Sequence, residues 1–143
     1  MVMCIARFKA ELAMHETIRK EGAMDYKTLS TTLANEFKKF CGPAVTIDWT
    51  DGLSIVWKTH YRRNFYQYSY SFGEVGSSIM RNRYNQDSSY IEQVDKFLSL
   101  GETMTVEDIF AEVGIDMTNK DTYHEALDLL EADIKKLAKL LKG

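Results

Sequence analysis

The residues best equipped for chemistry lie in one run, Thr59-His60-Tyr61-Arg62-Arg63-Asn64-Phe65-Tyr66-Gln67-Tyr68-Ser69-Tyr70. It gathers one of three histidines, two arginines and four of eight tyrosines. Imidazole, phenol and guanidinium all donate hydrogen bonds. Groups of this kind can hold a carbonyl oxygen or a developing oxyanion. The run has a blander use as well. Phe65, Tyr68 and Phe72 recur at helical spacing and would bury together as an aromatic face, since tyrosine is a common core residue with a polar handle. Arginines beside stacking aromatics also fit single-stranded nucleic acid. Against that use, the formal net charge is -3 and the basic residues are dispersed among acids.

Other chemistries find less support. A zinc hydrolase needs about three protein ligands and an activated water. The histidines are His15, His60 and His124, and none stands three or four residues from another. His15-Glu16-Thr17-Ile18-Arg19 begins like H-E-x-x-H, but Arg19 takes the second histidine's place and a guanidinium does not ligate zinc. No metal site is expected within this chain. Cys4 and Cys41 are read as free thiols of a reducing, cytoplasmic compartment rather than a disulfide framework. Cys41 would sit at a helix C-terminus, where the dipole raises a thiol pKa. No G-x-S-x-G and no phosphate-binding glycine loop occurs.

The elements that must carry the run read as helices. Only Pro43 interrupts, and the glycines are scattered. Ile5, Phe8, Leu12 and Ile18 share a helical face from Met1 to Glu21, which Gly22 stops. Asp25 to Phe40 reads as a second helix with Leu29, Leu33, Phe37 and Phe40 inward, ended at Cys41-Gly42-Pro43. Ala44 to Asp48 is extended without a partner to make a sheet. Thr50-Asp51-Gly52 is a turn. Phe65 to Tyr84 reads as a helix whose small residues Gly73, Gly76, Ser77 and Ser78 admit close approach. Ser88 or Ser89 is expected to cap the next helix and Thr105 the one after, which Gly114 stops. The last helix, about Lys120 to Leu141, carries Leu127, Leu130, Ile134, Leu137 and Leu141 as a core seam. Its leading acids and trailing lysines complement the helix dipole.

Length and composition bound the whole. The chain's 143 residues suit one all-α domain, residues 1–143. Its 45% hydrophobic and 27% charged residues are those of a globular protein. No apolar run approaches the roughly 18 residues of a membrane span. No signal-peptide h-region is read at the start. No nucleic-acid or membrane partner is expected.

The order of segments resembles the C-terminal part of the oligoendopeptidase F family, the thimet-oligopeptidase-like zinc peptidases. The family's stretch runs approximately H-F-Y-x-x-F-Y-x-Y-x-Y, and His60 to Tyr70 is similar in order and spacing. Downstream, Tyr90 to Gly101 and Val113-Gly114-Ile115-Asp116-Met117-Thr118 are similar to the family's Y-x-x-F-L-x-x-G and A-G-V-D-M-T. Upstream, Arg7-Phe8-Lys9-Ala10-Glu11-Leu12 resembles R-F-E-x-E-L.

The resemblance implies a helical bundle forming the C-terminal part of a zincin-type catalytic domain. The family's H-E-x-x-H helix and its further glutamate lie N-terminal to this region. The full-length family uses zinc and cleaves short peptides. By position, His60, Tyr61, Tyr66 and Tyr68 are the carry-over candidates for holding the peptide backbone and the oxyanion. Arg62 and Arg63 receive no role. The expectation is a piece of a peptidase that is inactive alone, with apolar surface left for self-association or a missing N-terminal half. The first helix and the Tyr66–Tyr70 side are the expected places. The competing reading is a stand-alone helical interaction module that lost the chemistry.

Overall fold

In the computed structural model, which describes residues 2–63 and 65–142, seven α-helices and three short 3-10 turns follow one another. No strand occurs among the described residues, so the all-α expectation holds. Met1, Asn64 and Gly143 lie outside the described residues. The helices are α1 (Val2–Glu21), α2 (Tyr26–Cys41), α3 (Ser54–Trp57), α4 (Tyr68–Gln86), α5 (Ile91–Leu100), α6 (Val106–Ala111) and α7 (Lys120–Leu140). They group into two compact units, Met1–Phe72 and Gly73–Gly143.

In the first unit, α1 packs on α2 through Ala6 and Ala10, both fully buried, against Leu33, Phe37 and Ile55. Met14, Leu29, Phe40, Ile47 and Tyr61 surround this core. The inward face of α2 is the expected one. That of α1 is not. Leu12 and Ile18 are exposed, and Ile5 and Phe8 are half-buried along a shallow cleft shared with Cys4, Tyr68 and Ser71. Small alanines let two helices approach closely, and that packing outweighs the larger apolar stripe. Asp25 caps α2 by accepting from the Lys27 and Thr28 backbone N–H groups.

The Thr50–Gly52 turn is a 3-10 turn, Trp49–Leu53, begun by a reciprocal Asp48–Asp51 capping box. Gly52 has a second purpose. A Cβ there would stand 1.8 Å from the Ser30 carbonyl oxygen and 3.1 Å from Ala34 N, so only glycine lets this turn lie against α2. The Ser30 hydroxyl donates to the Trp49 carbonyl at 2.5 Å across the same contact.

In the second unit, α4 and α6 meet at Gly76 and Phe110, and Phe97 of α5 lies 4.8 Å from the Phe110 ring. Ile109, Val113, Ile115 and Met117 complete the buried set with Ile79 and Ala126. Thr105 caps α6 as expected, and Gly114 follows it at φ 75°. Neither Ser88 nor Ser89 caps α5: Asp87 caps the 3-10 turn Ser88–Tyr90 that leads into it, its carboxylate accepting from the Ser89 N–H at 2.9 Å. Asp116 accepts from both the N–H and the hydroxyl of Thr118, and the Thr122 hydroxyl returns to the Asp116 carbonyl at 2.6 Å. The Asp116-Met117-Thr118 segment is thus the tight entry to α7.

The α7 seam is not a core seam. Ala126 is buried, whereas Leu127, Ile134, Leu137 and Leu141 are exposed. From residue 131 onward every described residue of α7 is exposed.

Candidate functional site

The tyrosine-rich stretch does not form one helix from Phe65. Thr59–Arg62 is a 3-10 turn, and α4 begins only at Tyr68. Between them Phe65 adopts φ 56°, a left-handed conformation that costs a bulky side chain strain. Its N–H donates to Glu11 Oε1 at 2.8 Å, and its ring lies against Phe8 and His15. These contacts from α1 stop Phe65 from opening the helix. They also remove it from the expected Phe65, Tyr68, Phe72 face, of which the Tyr68–Phe72 pair remains, at 6.4 Å.

The reversal at Phe65 folds Tyr66 and Tyr70 back onto His60. His60 Nε2 and the Tyr70 hydroxyl are 2.7 Å apart. The His60 and Tyr66 rings stack at 5.4 Å, and Tyr66 meets Tyr70 edge-on at 5.7 Å. The Arg63 guanidinium lies 5.7 Å from the Tyr66 ring centre. Arg62 is structural: its Nη2 donates to the Val56 carbonyl at 2.9 Å and ties the 3-10 turn to α3.

Two of the four candidates, His60 and Tyr66, therefore join one cluster. Tyr61 instead turns into the first unit's core, where its hydroxyl is buried without a partner. Burial holds its phenol well above the ordinary tyrosine range. Arg7 opposes this shift, while Glu11 and Cys4 add to it. Tyr68 is exposed on α4, beside the cleft lined by Phe8. Sequence reasoning did not single out Tyr70. The signal was present, because Tyr66 and Tyr70 are four residues apart and can share a face.

Either tautomer of the His60–Tyr70 pair leaves a donor for a ligand. If the phenol donates to Nε2, imidazole Nδ1–H is left over; if Nε2–H donates, the phenolic proton is left over. The pair is a hydrogen-bond donor site. A second cavity, in the other unit, is lined by Phe97, Leu98, Gly101, Val106, Ile109 and Phe110, and offers no titratable group.

Among the described residues, no three His, Cys, Asp or Glu side chains converge so as to hold a metal ion. These residues do not fit a zinc centre. No helix among them is long and apolar enough to cross a membrane.

Comparison with known proteins gives the context. The profile of peptidase family M3 matches residues 2–129. An oligoendopeptidase F homolog of Borreliella burgdorferi is 27% identical over 133 residues, covering 92% of this chain and 22% of the relative. One from Mycoplasma genitalium is 30% identical over 140 residues, covering 85% of this chain and 23% of the relative. The oligopeptidase PepF of Bacillus subtilis is 24% identical over 105 residues. The chain thus spans less than a quarter of the length of the relatives it matches. No solved structure matches it. With the profile covering the chain up to the middle of α7, the chain belongs to peptidase family M3.

Proposed function

We propose that this chain supplies the peptide-binding, oxyanion-facing wall of an oligoendopeptidase F-type zinc peptidase that acts on short peptides. His60, Tyr66 and Tyr70 are its centre and Tyr68 flanks it, while Tyr61 supports the turn from within the core. The zinc ligands and the general base are supplied by residues outside this chain, which is inactive by itself and works in the cytoplasm. The two compact units belong to one helical part of that catalytic domain.

The observation that supports this reading is the His60–Tyr70 hydrogen bond with Tyr66 stacked on the imidazole. A fixed donor suits a peptide carbonyl or a tetrahedral oxyanion, and losing one such donor typically costs about 10²–10³ in rate in a complete enzyme. A second reading has its own observation. The exposed apolar end of α7 lies beyond residue 129, where the family match stops, and fits a helical interaction module.

The test is titration of the isotope-labelled chain with a short peptide, alongside a cleavage assay with zinc added. The proposal expects shifts at His60, Tyr66 and Tyr70 and no cleavage. Zinc-dependent cleavage by the chain alone, or shifts confined to α7, would overturn it.

A further inference from the structure

Glu11 is a carboxylate at 1% exposure in the middle of α1. Burying such a group costs stability unless it is hydrogen-bonded. Its Oε1 accepts the Phe65 backbone N–H at 2.8 Å, from 54 residues away in sequence, while its Oε2 is buried without a partner. Among the described residues, Phe65 is the only one other than glycine with positive φ. Its ring lies 5.4 Å from Phe8 and 5.0 Å from His15. Phe8, Glu11 and His15 recur at spacings of three and four, so one face of one helix clasps both the backbone and the ring of Phe65. Phe65 is the corner between the turn bearing His60 and the helix bearing Tyr70.

We infer that Glu11 is a positioning residue for the aromatic wall: by holding the Phe65 N–H it fixes the left-handed corner that sets Tyr66 and Tyr70 against His60. The hydrogen bond that Glu11 accepts comes from the Phe65 backbone and from none of these three side chains. It acts through the backbone, and the acceptor oxygen rather than the negative charge is what the corner requires. The inference rests on the proposed reading only for what the wall binds.

Nuclear magnetic resonance of the full chain tests it. The His60 imidazole nitrogens and the Tyr70 hydroxyl proton report their bond directly, and His124 on α7 is the internal control. Glu11→Gln, which keeps an acceptor oxygen, should leave both signals in place. Glu11→Ala should lose the Tyr70 hydroxyl signal and shift the His60 nitrogens while His124 stays unmoved. If Glu11→Ala lowers the melting temperature yet leaves the His60 and Tyr70 signals unchanged, Glu11 is merely structural and the inference is overturned. If that variant does not fold, Glu11→Asp decides on the same signals, because it retracts the acceptor by one methylene: a shift supports the inference and an unchanged pair overturns it. No peptide enters the measurement, so its outcome is separate from that of the functional proposal.

Discussion

Gly76 lies against the Cε1–Cζ edge of the Phe110 ring. A Cβ at Gly76 would stand 2.5 Å from Phe110 Cε1 and 2.7 Å from Cζ, closer than carbon atoms tolerate. The contact belongs to the buried centre of the second unit. Gly76→Ala should therefore destabilise by about 1–3 kcal/mol, the usual cost of overpacking a core. Gly73, in the same helix, has nothing within 4 Å of its would-be Cβ. Gly73→Ala should stabilise by roughly 0.5–1 kcal/mol, since glycine in a helix interior carries that entropic penalty. Urea denaturation of both variants checks the pair, and equal effects would refute the packing argument.

Arg83 holds the turn after α6. Its Nη1 donates to the Gly114 carbonyl at 2.8 Å and the Val113 carbonyl at 3.2 Å, and the Tyr90 hydroxyl donates to the same Val113 oxygen at 2.9 Å. Hydrogen bonds from a charged donor contribute about 1.5–3 kcal/mol. Arg83→Ala should lower stability by about that amount, and Arg83→Lys, whose shorter side chain places its ammonium less well for the fork to both carbonyls, should recover only part of it. Thermal melts of the three proteins measure the order. A lysine variant as stable as the parent would show that the fork is unimportant.

The helices with local signals were legible. Asp25 before α2, Thr105 before α6, and Gly22 and Gly114 after α1 and α6 act as their residue types dictate. What escaped was set by distant contacts. The start of α4 depends on Glu11 capturing Phe65, which no local pattern encodes. The α1 interface uses Ala6 and Ala10, whereas periodicity draws attention to the largest apolar side chains. Gly52 reads as an ordinary turn glycine until α2 is seen to pass over it. His60 and Tyr66 were visible as donors at the right spacing. The inward turn of Tyr61 follows from the 3-10 turn around it, and sequence spacing does not reveal that conformation.

Tyr61 gives the first unit a defined alkaline limit. Its phenol is held above the ordinary value of 10.0 chiefly by burial. Neutral Tyr61 thus favours the folded state, and this contribution is fully present below pH 10. Above that, the unfolded chain releases the proton while the folded chain retains it, so stability falls as pH rises from about 10 toward the folded value. Tyr61→Phe keeps the ring and removes both the titration and the unpartnered hydroxyl. Its stability should be equal or greater at pH 8, and it should decline less between pH 10 and 11. Denaturation curves at the three pH values decide. A parallel decline in both proteins would assign the alkaline loss to other groups.

The exposed end of α7 should drive self-association. Ile134, Leu137 and Leu141 repeat at spacings of three and four, with Leu140 beside them, and Ile134 and Leu137 are 57% and 56% exposed. Fully burying one such side chain is worth roughly 1.5–3 kcal/mol. A contiguous apolar patch of this kind on an otherwise charged helix marks an interaction surface. Leu12 and Ile18 on the first helix, and Tyr68 and Tyr70 on the tyrosine side, are exposed as well, so α7 adds a further surface to the two expected from the sequence. Ile134→Lys combined with Leu137→Lys should leave the melting temperature nearly unchanged, because exposed positions alter stability by less than about 0.5 kcal/mol. The same variant should shift the mass measured by light scattering toward the 16.5 kDa of a single chain. A parent protein that scatters as a single chain at high concentration would refute the prediction. A variant that associates as strongly as the parent would place the contact elsewhere.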